Sequence, residues 1–164
     1  MGIQEKIAAF LAQGPFAVVG ASGDRSKYGN KVLRAYQQRG MRLLPVNPNQ
    51  TEIEGLACYP DLASLPEPVH GVSIVTPPAI TEKVVEEAAA AGIKYVWMQP
   101  GAESPTAIAR AEELGLEFIA GGPCVLVTLR YRERAGREAG RLRCRCAGSL
   151  PPLACGTGLR RFRL

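Results

Sequence analysis

Short apolar runs alternate with amphipathic segments along most of the chain. The apolar runs are typical of strands that are buried on both faces of a parallel sheet. They predict strands at residues 16–20, 42–46, 72–76, 95–98 and 117–120, with a short additional strand at 58–59. Apolar residues at helical spacing predict helices at residues 4–13, 30–39, 81–91 and 105–114. Thr81 and Ser104 have side chains that commonly cap the N-terminus of a helix.

This alternation predicts an α/β fold with a doubly wound, mainly parallel sheet of about five strands and right-handed crossovers. In such a sheet, ligands bind beyond the carboxyl ends of the strands. We therefore expect the functional residues in the segments that follow the strands, where Gly, Pro, Asn and Ser are frequent. These residue types form tight turns and leave backbone N–H groups accessible, which suits a ligand that carries phosphate.

The chain has 164 residues, of which 46% are apolar and 21% are charged. This length and composition predict one folded domain with its own core. No apolar run approaches the ~20 residues that span a bilayer, and the first residues lack the apolar stretch of a signal peptide. We therefore expect a cytoplasmic protein without a membrane partner.

The net charge of +5 arises in the C-terminal segment. Residues 130–164 contain 10 of the 20 basic residues, all of them arginine, but only two of the 15 acidic residues. We therefore divide the chain into a domain at residues 1–129 and an Arg-rich segment at residues 130–164. Glycines and Pro151-Pro152 interrupt this segment, so we expect it to be irregular and disordered. The alternative is an arm that attracts nucleic acid, which the scarcity of aromatic residues disfavours.

The loop after the first strand has the composition of a phosphate-binding turn. Gly20 and Gly23 allow the backbone to approach a phosphate closely, and the next helix directs its N-terminus at the same place. Ser22 adds a hydroxyl donor, while Arg25 and Lys27 add positive charge. The alternative interpretation is an ordinary turn between a strand and a helix, with solvated charges.

The familiar dinucleotide signature is absent from this loop. Its glycines lie at positions 20, 23 and 29, which is not the G-x-G-x-x-G spacing. An NAD site also requires a carboxylate at the end of the second strand. This chain has Asn47, Pro48 and Asn49 there. The sequence therefore predicts a nucleotide ligand without the usual NAD contacts.

A series of motifs at the strand ends resembles one known family. The motifs are Val19-Gly20-Ala21-Ser22, Pro45-Val46-Asn47-Pro48-Asn49, Tyr59-Pro60-Asp61-Leu62, Pro77-Pro78, Val96-Trp97-Met98-Gln99-Pro100-Gly101 and Pro123-Cys124. In this order the motifs resemble those of the small CoA-binding proteins, which are similar to the N-terminal CoA-binding domain of the succinyl-CoA synthetase alpha subunit. The resemblance covers residues 5–130 and implies a Rossmann-like CoA-binding domain.

The resemblance also implies roles for individual segments. Residues 22–25 would line the nucleotide phosphates, the Pro77-Pro78 pair would flank the adenine or pantetheine path, and residues 99–101 would bound that path from the neighbouring strand. Asn49 or Gln50 stands where the synthetase has a lysine near CoA. With the loop residues above, the candidate ligand-binding residues are Gly20, Ser22, Gly23, Asp24, Arg25, Lys27, Asn47, Asn49, Pro77, Pro78, Gln99 and Gly101.

The sequence predicts no catalytic residues and no metal site. The only histidine, His70, precedes a strand, and a single histidine in that place does not form a Ser-His-Asp or Cys-His set. The three cysteines of the C-terminal segment lack the spacing and the histidine of a zinc site. Cys124, near the expected ligand edge, is either an inert packing residue or a thiol that reacts with CoA.

The leading hypothesis is a protein that binds coenzyme A or an acyl-CoA through its strand-end loops and catalyses no reaction itself. Three alternatives stay open: a subunit of an acyl-CoA synthetase or ligase that needs a partner chain, an NAD(P)-binding redox module, and a nucleic-acid binder that uses the Arg-rich segment. A homodimer is also open, because the first helix carries apolar residues.

Overall fold

The computed structural model describes residues 2–133, in which helices and strands alternate. The helices are α1 (Ile3–Leu11), α2 (Tyr28–Gln38), α3 (Pro78–Ala90), α4 (Pro105–Glu113) and α5 (Val125–Thr128). The strands are β1 (Phe16–Val19), β2 (Leu43–Val46), β3 (Glu52–Ile53), β4 (Leu56–Ala57), β5 (Gly71–Ile74), β6 (Tyr95–Met98) and β7 (Glu117–Ile119).

Five of the strands form one parallel sheet in the order β2-β1-β5-β6-β7, which confirms the predicted fold class. Strand β1 pairs with β2 on one side and with β5 on the other, so that Val19 is aligned with both Val46 and Ile74. The chain therefore extends the sheet first in one direction and then in the other. The switch point between β1 and β5 lies at the edge where α/β proteins bind their ligands.

Helices cover both faces of the sheet. On one face, α1 and α2 pack the rings of Phe10 and Tyr36 against Phe16, and Phe10 also contacts Trp97. On the other face, α3 and α4 pack small apolar residues such as Val85 against the strands. All residues of β1, β2 and β5 are buried. This two-sided burial explains why the strands appear in the sequence as continuous apolar runs.

Helix α3 begins earlier than the sequence pattern predicts. The predicted N-cap is Thr81, but the helix begins at Pro78 and its N-cap is Pro77. Thr81 is buried within the helix, and its hydroxyl lies 3.2 Å from the Thr76 carbonyl oxygen. The prediction for Thr81 is wrong because a proline that ends one strand segment can also occupy the first position of a helix, where its missing N–H is not needed.

The segment between β2 and β5 also differs from the prediction. In place of a strand at residues 58–59, β3 and β4 form a short antiparallel hairpin whose turn contains Glu54 and Gly55, both with positive φ. Tyr59 makes only an isolated parallel bridge with Val46, and its carbonyl oxygen accepts the Asn47 N–H at 2.8 Å. The hairpin turn was not recognised because its strands have only two residues each, which is too short for an apolar pattern.

Residues 132 and 133, just past the boundary proposed at residue 129, contact α2. Arg132 exchanges two hydrogen bonds with the Gln38 side chain, and Glu133 forms an ion pair with Arg34 at 3.2 Å. This stretch therefore packs on α2. The rest of the predicted Arg-rich segment, residues 134–164, lies outside the described residues.

Within residues 2–133, no helix is long and apolar enough to cross a membrane. The apolar residues of α1 lie mostly against the sheet, since Ile7 and Phe10 are buried and Ile3 is 37% exposed. The homodimer stays a prediction, and α1 has little exposed apolar surface from which a dimer interface could form.

A buried hydrogen bond joins α2 to β5, with 2.6 Å between the hydroxyl oxygens of Tyr36 and Ser73. We expect Tyr36→Phe to lower the free energy of unfolding by about 1–3 kcal/mol, because the Ser73 hydroxyl then has no partner. The double variant Tyr36→Phe, Ser73→Ala removes both polar groups and should lose less stability than the two single variants together. Chemical denaturation measures these losses, and strict additivity would contradict the pairing.

Candidate ligand-binding site

The loop after β1 leaves the sheet at the switch point in a conformation that favours glycine. Gly20 has a φ of 86°, and a Cβ at this position would lie 2.9 Å from the Val75 carbonyl oxygen. A Cβ on Gly29 would overlap the Gly20 carbonyl oxygen. The end of β1, the residue after β5 and the first turn of α2 are therefore in direct backbone contact.

Short-range hydrogen bonds fix the shape of this loop. The buried Ser22 hydroxyl accepts the Asp24 N–H at 3.1 Å. The Asp24 carboxylate accepts the N–H and the hydroxyl of Ser26 at 3.0 and 2.7 Å. The Gly23 N–H donates to the Gln50 side-chain oxygen at 2.8 Å. These bonds close the loop over the end of β1, while residues 23–27 remain exposed.

Asp24 is the only acidic residue in the loop itself. The hydrogen bonds from Ser26 hold the pKa of the Asp24 carboxyl below its ordinary value of 3.8. The carboxylate is therefore charged at neutral pH, and it would repel a phosphate. Its position suits a role in shaping the loop more than direct contact with a phosphate.

A polar network beneath the loop connects it to α2 and to the hairpin. Arg25 forms an ion pair with Glu54 at 3.1 Å. The fully buried Asn30 donates from Nδ2 to Glu54 at 3.0 Å and to the Ser22 carbonyl oxygen at 2.8 Å. Its Oδ1 accepts Nε of Arg34 at 2.7 Å. Sequence reasoning missed Asn30 and Glu54, although a lone amide among the apolar positions of a predicted helix is a signal for Asn30.

Asn47 connects the end of β2 to the first loop. Its Nδ2 donates to the Ala21 carbonyl oxygen at 2.7 Å, and its Oδ1 accepts the Asn49 N–H at 2.8 Å. An amide therefore occupies the place where an NAD site has a carboxylate. Asn49 and Lys27 are both exposed, and Lys27 immediately precedes α2.

A groove of about 360 Å³ lies at the carboxyl ends of β5 and β6. It brings together three of the predicted residues, Pro77, Pro78 and Gly101. The full lining is Tyr28, Val75, Thr76, Pro77, Pro78, Pro100, Gly101 and Ala102. Tyr28 is the first residue of α2 and thus links the groove to the glycine loop. Sequence reasoning missed Tyr28 because the predicted helix begins only at residue 30, whereas α2 begins at Tyr28.

Gln99 differs from the other candidates because its side chain is fully buried. Its Oε1 accepts the Val125 N–H at 2.9 Å and lies 3.4 Å from the Tyr28 hydroxyl. Burial and the neighbouring Cys124 thiol raise the pKa of Tyr28, so the hydroxyl is protonated at neutral pH. Gln99 therefore joins the wall of the groove to the start of α5.

A larger cavity of about 570 Å³ lies at the opposite, amino edge of the sheet. It is bounded by residues 61–69 and by the C-terminal end of α3. None of the predicted ligand-binding residues lines it. We place the candidate site at the smaller groove, because only the carboxyl edge of a parallel sheet combines strand-end loops with helix N-termini.

The depressed pKa of Asp24 gives a prediction about pH. The hydrogen bonds from Ser26 to the Asp24 carboxylate should stabilise the folded protein above pH 3.8. This stabilisation should be lost as the pH falls through the lowered pKa of Asp24. We expect Ser26→Ala to raise the pKa of Asp24 toward 3.8, as measured by NMR titration of the carboxyl groups. Asp61, which has the same arrangement with Ser64, is an internal control and should not change. An Asp24 pKa that is unaffected by Ser26→Ala would contradict the assigned cause.

Comparison with known proteins identifies relatives among CoA-dependent ligases. The chain is 38% identical over 71 residues to the ADP-forming acetate–CoA ligase I of Archaeoglobus fulgidus, a match that covers 43% of this chain and 10% of the ligase. It is 31% identical over 81 residues to the alpha subunit of the ADP-forming acetate–CoA ligase II of Pyrococcus furiosus, covering 49% of this chain and 18% of the subunit. The chain thus spans less than a fifth of the length of these relatives.

Solved structures share the fold. A conserved hypothetical protein from Pyrococcus furiosus is 43% identical, with a TM-score of 0.66, and the match covers 69% of this chain and 97% of that one. The apo form of the dinucleotide-forming acetyl-coenzyme A synthetase 1 of Ca. Korarchaeum cryptofilum is 31% identical, with a TM-score of 0.57, covering 63% of this chain and 25% of the synthetase. A family model described as a CoA binding domain matches residues 15–130. This match confirms the resemblance seen in the strand-end motifs, and the chain belongs to the CoA-binding domain family.

Proposed function

We propose that this protein binds coenzyme A or an acyl-CoA at the carboxyl edge of its sheet and does not itself catalyse a reaction. The observation that carries the proposal is the family match over residues 15–130, a span that contains every candidate ligand-binding residue. Family membership supports CoA as the ligand, and the geometry of the carboxyl edge suggests how the ligand lies.

The nucleotide end of CoA suits the loop after β1. CoA carries several negative phosphate charges, and the exposed Arg25 and Lys27 supply positive charge. The 11-residue helix α2 begins directly after the loop, so its N-terminal partial charge adds to the attraction. Gly23 has no side chain to keep a phosphate away from the backbone.

The pantetheine arm of CoA suits the groove that begins at Tyr28. The arm is narrow and largely apolar apart from its two amides. The rings of Tyr28, Pro77 and Pro100 line the groove. Its volume of about 360 Å³ lies within the range of roughly 300–1,000 Å³ that is typical of small-molecule sites. The ligand would therefore pass Tyr28 between the loop and the groove.

The surroundings of the only histidine support a binding role without catalysis. His70 precedes β5, at the amino edge of the sheet. Its Nε2 lies 3.1 Å from the Ala9 carbonyl oxygen, and its ring centroid lies 4.7 Å from that of Tyr95. The imidazole is thus packed between α1 and the strands, at the end of the sheet opposite to the candidate site.

A second candidate function is that of a subunit in an ADP-forming acyl-CoA ligase. It is favoured by the match to acetate–CoA ligases, one of which is an alpha subunit. The chain spans less than a fifth of the length of these relatives, and in this hypothesis a partner chain supplies the other domains. Purification of the tagged protein from its own cells tests this function. Stoichiometric recovery of a larger ligase chain, with ligase activity only in the pair, would favour it.

Calorimetric titration with CoA tests the proposed function, with NAD and ATP as comparison ligands. We expect CoA to bind with micromolar or tighter affinity, and we expect Gly23→Glu to abolish binding because it puts a carboxylate beside the phosphates. The variant should fold, since a Cβ at Gly23 would meet only the flexible Gln50 side chain, at 2.9 Å. Gln13→Glu adds the same charge at the amino edge and should bind CoA like the wild type.

Each other outcome of this titration has a definite meaning. Binding of NAD in place of CoA would replace the proposal with the redox-module alternative. Equal loss of affinity in both Glu variants would show that net charge, and not the loop, controls binding. A folded wild-type protein that binds no CoA would contradict the proposal.

The ion pair between Arg25 and Glu54 gives a prediction about affinity. Glu54 competes with a ligand phosphate for the Arg25 guanidinium, so we expect Glu54→Gln to tighten CoA binding by up to about fivefold, the equivalent of about 1 kcal/mol for this partly exposed ion pair. Arg25→Gln should weaken binding by a similar factor. Both effects should shrink at high salt, because added ions screen the charges. Weaker binding by Glu54→Gln would instead mean that Glu54 is needed to hold the loop through Asn30.

A further inference from the structure

A buried polar group without a partner lies beside the groove. Gln99 is 0% exposed, and its Nε2 has no hydrogen-bond partner within residues 2–133. The Val125 N–H donates to Oε1 at 2.9 Å, which fixes the orientation of the amide, because the reverse orientation would set two donors against each other. Nε2 is therefore a buried donor whose acceptor has to come from outside the described chain.

A cysteine precedes the residue that donates to this amide. Cys124 directly precedes Val125, is half-buried and forms no disulfide within the described part of the chain. It is close enough to the Tyr28 hydroxyl to affect the ionisation of that group. Tyr28 in turn lies 3.4 Å from Oε1 of Gln99 and lines the groove. A thiol, an unpaired amide donor and the groove wall thus form one continuous cluster.

The thiol-bearing arm of CoA has the groups that match this cluster. Its amide carbonyls are hydrogen-bond acceptors of the kind that Nε2 of Gln99 lacks among residues 2–133, and the arm ends in a sulfur. Tyr28 lines the groove and its hydroxyl adjoins Cys124, so we orient the sulfur end of the arm toward this thiol.

We propose that Cys124 is a thiol–disulfide exchange site for the disulfide form of the ligand, CoA disulfide, an inference that rests on the proposed binding of CoA. The Cys124 thiolate attacks one sulfur of the ligand, the ligand S–S bond breaks, and a mixed disulfide forms between Cys124 and one CoA. The other CoA leaves as a thiolate and takes up a proton. Cys124 is oxidised and the departing CoA is reduced, so the step needs no further oxidant.

The exchange should be selective, because the ligand is held at the site before it reacts. Glutathione disulfide has the same reactive bond but lacks the nucleotide. The site therefore does not hold it near Cys124, and binding does not raise its effective concentration there. Cys58 is a matched control thiol within the same folded unit. It is also half-buried, with Sγ 3.7 Å from the Asn47 carbonyl oxygen, and burial raises its pKa, which lowers its thiolate fraction at neutral pH.

The test compares two disulfide reagents on the full chain. Reduced protein is mixed with equal concentrations of CoA disulfide or glutathione disulfide, alkylated at intervals and digested, and mass spectrometry quantifies the adduct on each of the five cysteines. We expect Cys124 to react at least about tenfold faster with CoA disulfide, while the other cysteines show no such preference. Gly23→Glu should remove the preference without slowing the reaction of Cys124 with glutathione disulfide. Cys124→Ser should abolish the selective adduct, and Cys58→Ser should leave it unchanged.

Equal rates for the two reagents at Cys124, or the same preference at Cys58, would overturn the inference. Parallel calorimetry with CoA distinguishes this failure from failure of the proposed function. CoA binding without a selective reaction would exclude only the exchange site, whereas the absence of CoA binding would exclude both.

Discussion

The close packing of three backbone segments at the end of β1 determines what this edge of the sheet can hold. Gly20 turns in a left-handed conformation against the Val75 carbonyl oxygen, and Gly29 brings the first turn of α2 onto the Gly20 carbonyl oxygen. A side chain at either glycine would push α2 or β5 away. Because α2 and β5 converge here, the exposed loop and the groove are joined at Tyr28, and one extended ligand can contact both.

Internal carboxylates balance the positive charge of this edge. Arg25 is paired with Glu54, and Lys31 lies 3.6 Å from Glu133. A phosphate at the loop would compete with these carboxylates for Arg25 and Lys31. Lys27 is exposed and forms no ion pair among the described residues, so it can contact a phosphate without breaking one. The affinity for a phosphate-bearing ligand therefore depends on the difference between the ion pairs with phosphate and the partly exposed ion pairs that they replace, each of which is modest and sensitive to salt.

Much of the fold could be predicted from sequence, because strands that are buried on both faces leave continuous apolar runs. The glycine loop could also be predicted, since the turn at Gly20 is a local property of the backbone. Glu54 could not, because it reaches the loop only through the folding of a hairpin with two-residue strands. Gln99 could be placed at a strand end, but its burial depends on α5, whose four residues are too few to show a helical period. The prediction of Thr81 as the N-cap of α3 was wrong because the helix already begins at Pro78.

The proposed binding of CoA at the carboxyl edge, and not in the larger cavity at the amino edge, is tested most directly by NMR. Amide chemical shifts of the labelled protein would be followed during titration with CoA. We expect the amides of residues 22–25, together with those of Gln99 and Gly101, to shift in a saturable manner, while those of residues 61–65 and 90–93 around the larger cavity do not. Shifts confined to the amino-edge residues would contradict the assigned site.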